Sequence, residues 1–207
     1  MQIKIETNLA ELPVWINSNI IKQAEFATSV ALYDTAVDLK KALIADLPQE
    51  FTIRNGWVAK GIRIKPTGSR AIRKTGAGIA GMEARVGTVD AFMAMQELGG
   101  TKRGKKSSVA IPVREPQSEI MDKKKWPKAL LKKPGYFLNQ RSNGRVLVFQ
   151  RLGQKRYPIK LKYSLAPSVK ISPRWNMRER ATEIVGRKYN ENFNRAFEMA
   201  LATAKKR

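Results

Sequence analysis

The feature that most restricts this chain is a change of hydrophobic period, from helical at both ends to alternating in between. Ile20, Ala24, Ala27, Val30, Ala31, Leu39, Leu43 and Leu47 recur at three- and four-residue steps. That spacing places side chains on one face of a helix. Asn17, Ser18 and Asn19 offer capping side chains before it and Pro48 a stop after it, so the pattern predicts a helix over about 20–47. Such a helix is about 40 Å long, enough for one part to pack on a sheet and another on a neighbouring subunit. Near the other end, Ala181, Ile184, Val185, Tyr189, Phe193, Ala196, Phe197, Ala200, Leu201 and Ala204 form a second stripe, predicting a helix over about 175–204. Lys205, Lys206 and Arg207 would suit the negative end of its dipole.

Between these ends the period is two. Ile159, Leu161 and Tyr163 alternate with Lys160 and Lys162, the pattern of a half-buried strand with a cationic outer face. Ile62 and Ile64 alternate with Arg63 and Lys65 in the same way, after an Asn55-Gly56 turn signal and an extended Trp57-Val58-Ala59. Further strands are expected at Ile3 and Ile5, over 83–89, at 109–113 on an edge because of Pro112, and over 136–138 and 145–151, joined through Asn143-Gly144. Residues 91–98 read as a short helix or strand end, 114–133 as holding a short helix, and 67–81 and 99–108 as basic loops. The expected fold class is α+β. One antiparallel β-sheet is flanked by a long N-terminal and a long C-terminal helix, in a single domain 1–207 with a β-rich basic middle at 51–172.

Charge gives the first functional constraint. The formal net charge is +23. Residues 51–178 hold 29 Lys or Arg against 6 Asp or Glu, whereas the two ends together hold 11 of each. A cationic block of this size calls for a polyanionic partner or a strongly negative protein surface. Cysteine and histidine are both absent, which removes disulfides, thiolate metal sites and the usual participants in triads and zinc chemistry. The six carboxylates of the middle, Glu83, Asp90, Glu97, Glu115, Glu119 and Asp122, show no metal-ligand spacing. Gly76, Gly78 and Gly81 formally match a dinucleotide fingerprint. No apolar strand precedes them and a strand rather than a helix follows, so cofactor binding is not expected. No apolar run reaches bilayer length and no signal peptide is evident, so no membrane partner is expected.

A set of residues toward the C-terminus carries a family resemblance. It comprises Val146, Val148 and Phe149, then Gly153, Arg156-Tyr157-Pro158-Ile159, Ala166-Pro167 and a closing helix of mixed charge. This stretch resembles the minor tail protein Z, or tail-completion, family of long-tailed bacteriophages. A second segment, Leu98-Gly99-Gly100-Thr101-Lys102 leading into Val109-Ala110-Ile111-Pro112, is similar to the glycine-plus-lysine loop and short strand of neck and tail-completion proteins. The resemblance implies a non-enzymatic virion protein. It would form a homo-oligomeric, hexameric ring at the head-proximal end of the tail, beside tail terminator, tail tube or neck (connector) proteins, with phage genomic DNA in the channel. Its location would be the virion, and the host cytoplasm during assembly. The alternatives are a DNA-binding protein without sequence preference, its basic strands and loops interleaved with Trp57, Trp126, Tyr136 and Tyr157, and a phage nuclease. No helix-turn-helix, zinc finger or basic zipper is present, which disfavours sequence-specific readout. The candidate DNA- or partner-facing residues are Arg70, Arg73, Lys74, Lys102, Arg103, Lys105 and Lys106. Arg156, Tyr157 and Pro158 are candidates for fold or docking.

Overall fold

The computed structural model describes residues 2–5, 18–53, 55–75, 78–104, 108–116, 120–142 and 144–204. The chain falls into two compact units, Met1–Glu97 with Arg174–Arg207, and Leu98–Pro173. Mixed helices and antiparallel sheets, with one long helix near each end, make it an α+β protein as expected.

The first unit is built on α1 (Ser18–Glu50). Pro48 lies inside α1 rather than ending it. Its missing N–H falls in the last turn, and the Phe51 N–H still reaches the Leu47 carbonyl at 2.9 Å. The C-terminal helix, which follows a strand called β9 below, runs over Met177–Ala204. It starts two residues later than its apolar pattern suggests, because Asn176 takes a positive φ of 47°. The Arg174 and Trp175 N–H groups donate to the Gln96 carbonyl instead.

The two long helices run antiparallel. Arg180 meets Asp46 at 2.9 Å, Asn192 meets Thr35 and Asp38 at 3.1 Å, and Arg195 meets Asp34 at 2.8 Å. Small buried side chains, Ala24, Ala27, Ala31, Ala196 and Ala200, line these helices. An adjoining face of α1 packs on a three-stranded sheet and on a short helix, in one core that also takes in Met177, Ala181 and Ile184. The sheet has the order β1-β3-β2, with β1 at Gln2–Ile5, β2 at Ile62–Lys65 and β3 at Ala84–Thr88. Leu32, Leu39, Leu43 and Leu47 meet Ile62, Val86 and Met82 in this core.

Two expectations in this unit are corrected. Trp57-Val58-Ala59 is not extended but opens α2 (Trp57–Gly61). Gly56 has φ −72°, not the positive φ of a hairpin turn, and the Asn55 side chain accepts from the Trp57 N–H at 3.1 Å, starting a helical turn. Residues 67–81 are not all loop. They contain α3 (Ser69–Arg73), which buries Ile72 against α1 and its neighbours, and a 3₁₀ turn at Ile79–Gly81. The short helix α4 (Ala91–Leu98) follows β3.

The second unit holds a two-stranded ribbon and a four-stranded antiparallel sheet rather than part of one common sheet. The ribbon pairs β4 (Gly100–Arg103) with β9 (Ser168–Ile171), so 99–108 is in part a strand. Cross-strand pairing satisfies the backbone there where side chains bury nothing, which is why a hydrophobic pattern misses it. The larger sheet has the order β5-β8-β7-β6, with β5 at Val109–Pro112, β6 at Tyr136–Gln140, β7 at Val146–Arg151 and β8 at Ile159–Ala166. Pro112 is on an edge strand, as expected. Between β5 and β6, a 3₁₀ turn at Lys123–Lys125 leads into α5 (Pro127–Leu130). The long C-terminal helix is α6.

The alternation on β8 breaks at Lys162. Val148 pairs with Tyr163 and Phe149 with Leu161, so Lys162 is an extra, bulged residue. It is not on a cationic outer face but 6% exposed, and its Nζ donates to Glu115 Oε2 at 2.6 Å. Lys160 does face solvent, with its Nζ 3.2 Å from the other oxygen of the same buried carboxylate. Breaking a buried pair leaves an uncompensated charge. Glu115→Gln is therefore expected to destabilise the second unit by about 3 kcal/mol, read as faster hydrogen exchange at β7 and β8 amides. Adding Lys162→Met should recover most of that loss.

Candidate polyanion-facing surface

Of the residues singled out for anion contact, Arg70, Arg73 and Lys74 are presented by a helix of the first unit and Lys102 and Arg103 by a strand of the second. On α3, Arg70, Arg73 and Lys74 stand at i, i+3 and i+4 and are exposed, opposite the buried Ile72. The Arg73 guanidinium lies 5.7 Å from the Phe26 ring centroid on α1. The structure therefore gathers these three on one helix face. On β4, Lys102 and Arg103 are both exposed but adjacent, so they point to opposite faces of the ribbon. Lys102 lies across from Val169, while Arg103 shares its face with Lys170, the partner of Thr101. They do not converge. Lys105 and Lys106 lie outside the described residues.

Arg156, Tyr157 and Pro158 close the connection between β7 and β8. The Leu152 N–H donates to the Pro158 carbonyl at 3.0 Å. The Arg156 guanidinium sits 5.7 Å from the centroid of the Tyr157 ring, and that ring is 63% exposed. The arrangement displays an aromatic surface rather than burying it. Trp126 and Tyr136 are more structural. The Trp126 indole donates to the Ile120 carbonyl at 3.0 Å, and Tyr136 packs on the small core of Leu130, Val148 and Tyr163.

A second basic surface combines all three strands of the first unit's sheet. Ile3, Ile64 and Val86 face inward to the α1 core. The outer face is a grid of two rows, Lys4–Arg85–Lys65 and Gln2–Gly87–Arg63, each set directly across β1, β3 and β2. Glu83 meets this grid, 3.0 Å from Lys4 and 2.6 Å from Arg85. The alternation of Arg63 and Lys65 was legible in the sequence. That Lys4 and Arg85 join them was not, because strand order is non-local. Over Gly87 the grid dips into a hollow of about 40 Å³, lined by Gln2, Arg63, Lys65, Arg85, Gly87, Thr88 and Val89.

A larger cleft of about 490 Å³ in the same unit is lined by Phe51, Asn55, Trp57, Phe92, Gln96 and Arg174 among others. Trp57 stacks on Phe92 with centroids 5.7 Å apart. Arg174 is tied into its wall, with Nη2 donating to the Glu50 carbonyl at 2.6 Å and the guanidinium 5.6 Å from the Phe51 ring centroid.

Glu83, Glu97, Glu115 and Asp122 of the basic middle have structural partners, whereas Asp90 Oδ2 is buried without a hydrogen-bond partner. Glu97 accepts from the Met177 and Arg178 N–H groups at 2.7 and 3.1 Å, capping α6. Asp122 accepts from the Lys124 N–H at 2.8 Å. Asp90 is buried beside Gly61, where an added Cβ would overlap its carboxylate. Glu115 holds Lys160 and Lys162. Among the described residues no group of three or more metal-ligating side chains gathers, and no helix is long and apolar enough to cross a membrane.

The Arg174 contacts predict a local effect. Arg174→Ala should lower the stability of the first unit by about 1 kcal/mol, through loss of a charge-assisted bond and a cation–aromatic contact. Thermal unfolding checks this, with an exposed control such as Lys41→Ala staying within about 0.5 kcal/mol. No family model, curated protein or solved structure matches this chain.

Proposed function

We propose that this protein is a non-enzymatic structural component of a long-tailed phage virion. In this reading it is a tail-completion or minor tail protein that joins a homo-oligomeric ring, hexameric by family resemblance, at the head–tail junction. The resemblance of 98–112 and of the C-terminal stretch supplies the family.

The observation that carries an assembling role is an unfinished apolar row in the second unit. Tyr163, Val148 and Leu138 lie side by side across β8, β7 and β6. The first two are 4% and 0% exposed, while Leu138, on the edge strand, is 51% exposed. Edge strands with exposed apolar side chains are liabilities in a monomer and natural contacts in an assembly. A neighbouring subunit or ring covering β6 would complete the row. Lateral contacts of this kind repeat one heterologous patch pair around a closed ring. The basic surfaces are then free to face DNA in the channel or acidic neighbouring rings. The commitment of Glu83, Glu97, Glu115 and Asp122 to caps and ion pairs favours this reading over a nuclease.

A second reading, a DNA-binding protein without sequence preference, is favoured by the cationic grid on the first unit's sheet. The two separate on assembly. Particles made without the protein should accumulate heads and tails that do not join, with infectivity restored by adding it. Full infectivity without it would overturn the structural reading. Leu138→Glu should leave thermal stability within about 0.5 kcal/mol yet abolish incorporation into tails, measured by light scattering of the assembled species and by electron microscopy.

A further inference from the structure

We infer that the outer face of the β1-β3-β2 sheet is a phosphodiester-binding surface, with the hollow over Gly87 as the seat of one backbone phosphate. The inference deepens the proposed function by naming where the chain would touch DNA, and it rests on that reading for its biological setting.

The argument begins with Gly87. On a strand the side chains of one face stand about 6.5–7 Å apart, and neighbouring strands about 4.8 Å apart. Gly87 occupies the central strand and has no side chain, so the floor of the hollow is backbone, buried beneath the long side chains that surround it. Arg63 lies directly across from it and Arg85 two residues along the same strand, with Lys65 on the diagonal and Gln2 on the other side. All four line the hollow. A group resting on Gly87 is thus within the arc of two guanidinium forks, one ammonium and one amide. A hollow of about 40 Å³ can take a phosphate oxygen but is too small for a base.

Among the described residues, neither Arg63 nor Lys65 meets a carboxylate. Glu83 engages Lys4 and Arg85 at the far row and leaves the Gly87 row open. Among the described residues the face carries Lys4, Arg63, Lys65 and Arg85, and Glu83 is paired with Lys4 and Arg85 rather than with Arg63 or Lys65.

The chemistry favours nucleic acid over an acidic protein. Protein partners are anchored by aromatic or aliphatic side chains entering pockets, and the apolar lining here is Val89 alone. Arginine forks match phosphate oxygens bidentately. The face has no pocket for a base, so contact would be to backbone and independent of sequence.

The test is binding of the full-length protein to an arbitrary DNA duplex over a range of salt concentrations. Arg63→Gln with Lys65→Gln should weaken binding at least tenfold at 0.1 M salt. The slope of log K against log salt should become shallower by about 1.8, the value for two phosphates. Arg141→Gln with Lys155→Gln removes the same charge from the second unit and should change little. Gly87→Val fills the hollow without altering charge and should also weaken binding, whereas Glu83→Gln should tighten it. Equal losses from both double variants would reduce the effect to net charge and overturn the site. Binding of polyglutamate as tight as that of duplex would overturn the choice of nucleic acid. The Arg63/Lys65 variant should still be incorporated into tails. Loss of DNA binding with normal assembly supports the site, normal DNA binding with failed assembly sinks it, and a protein that binds DNA through this face but never enters virions overturns the structural reading instead.

Discussion

The structure depends on the antiparallel contact between α1 and α6. These helices are separated by more than a hundred residues of chain, so their pairing closes the longest loop in the molecule and fixes where everything between them begins and ends. Alanines on both helices permit close approach, but small apolar surfaces alone specify register weakly. The polar seam supplies it. Asn192 is buried and bonded to Thr35 and Asp38, with Arg195 bonded to Asn192 and to Asp34, and Arg180 to Asp46 further along. Sliding one helix by a turn would leave Asn192 and its partners buried and unsatisfied, at a cost of about 1–3 kcal/mol for each group. With register set, the adjoining face of α1 presents Leu32, Leu39, Leu43 and Leu47 as a floor for the sheet.

That contact also explains how charge is partitioned. The ends of the chain are electrically balanced because they answer one another, with Asp34, Asp38 and Asp46 on α1 facing Arg195, Asn192 and Arg180 on α6. The second end contributes internal pairs as well. Lys188 meets Glu191 at 2.8 Å and holds its carboxyl below the usual range, and Arg180 meets Glu183 at 2.7 Å as well as Asp46, bonds that raise the guanidinium's affinity for its proton. In the middle six carboxylates answer 29 cations. Glu115 holds the buried Lys162, but Arg63, Lys65 and the cations of α3 stand on exposed faces, where water solvates them and a polyanion can replace that water.

Helix positions were legible because 3.6-residue periodicity is local and long. The apolar residues of α1 and α6 fall where the pattern put them, and only the ends moved, by a proline tolerated in a last turn and by the positive φ of Asn176. Strands β2, β3, β7 and β8 were legible from alternation. What escaped depended on partners distant in sequence. Strand β4 of the ribbon is exposed throughout and so leaves no hydrophobic pattern, and β9, with half-buried Val169 and Ile171, is only four residues long. Trp57 turned helical because Asn55 captured its N–H. Lys162 reversed its facing because a bulge inserted one residue against Val148 and Phe149, which no reading of β8 by itself could show. Arg63 and Lys65 were legible as an alternation, but only the pairing of β1, β3 and β2 sets Lys4 and Arg85 beside them around Gly87.

The same partition bears on why a site of chemistry is not the better reading. A basic chain becomes a nuclease when a few carboxylates are gathered, unshielded, where metal can bridge them to phosphate. Here each described carboxylate of the middle is fixed elsewhere. Glu97 caps α6, Asp122 caps a 3₁₀ turn, Glu115 is buried under two lysines, Asp90 is wedged against Gly61, and Glu83 sits between Lys4 and Arg85. Moving Glu97 or Asp122 into a metal cluster would remove a cap, and moving Glu115 would strand the buried Lys162. The cations carry no comparable structural duty on the grid of the first sheet, where Arg63 and Lys65 can be directed wholly at a ligand. Selection on such a surface acts through charge and shape, and a polyanion held along its backbone needs no more than that.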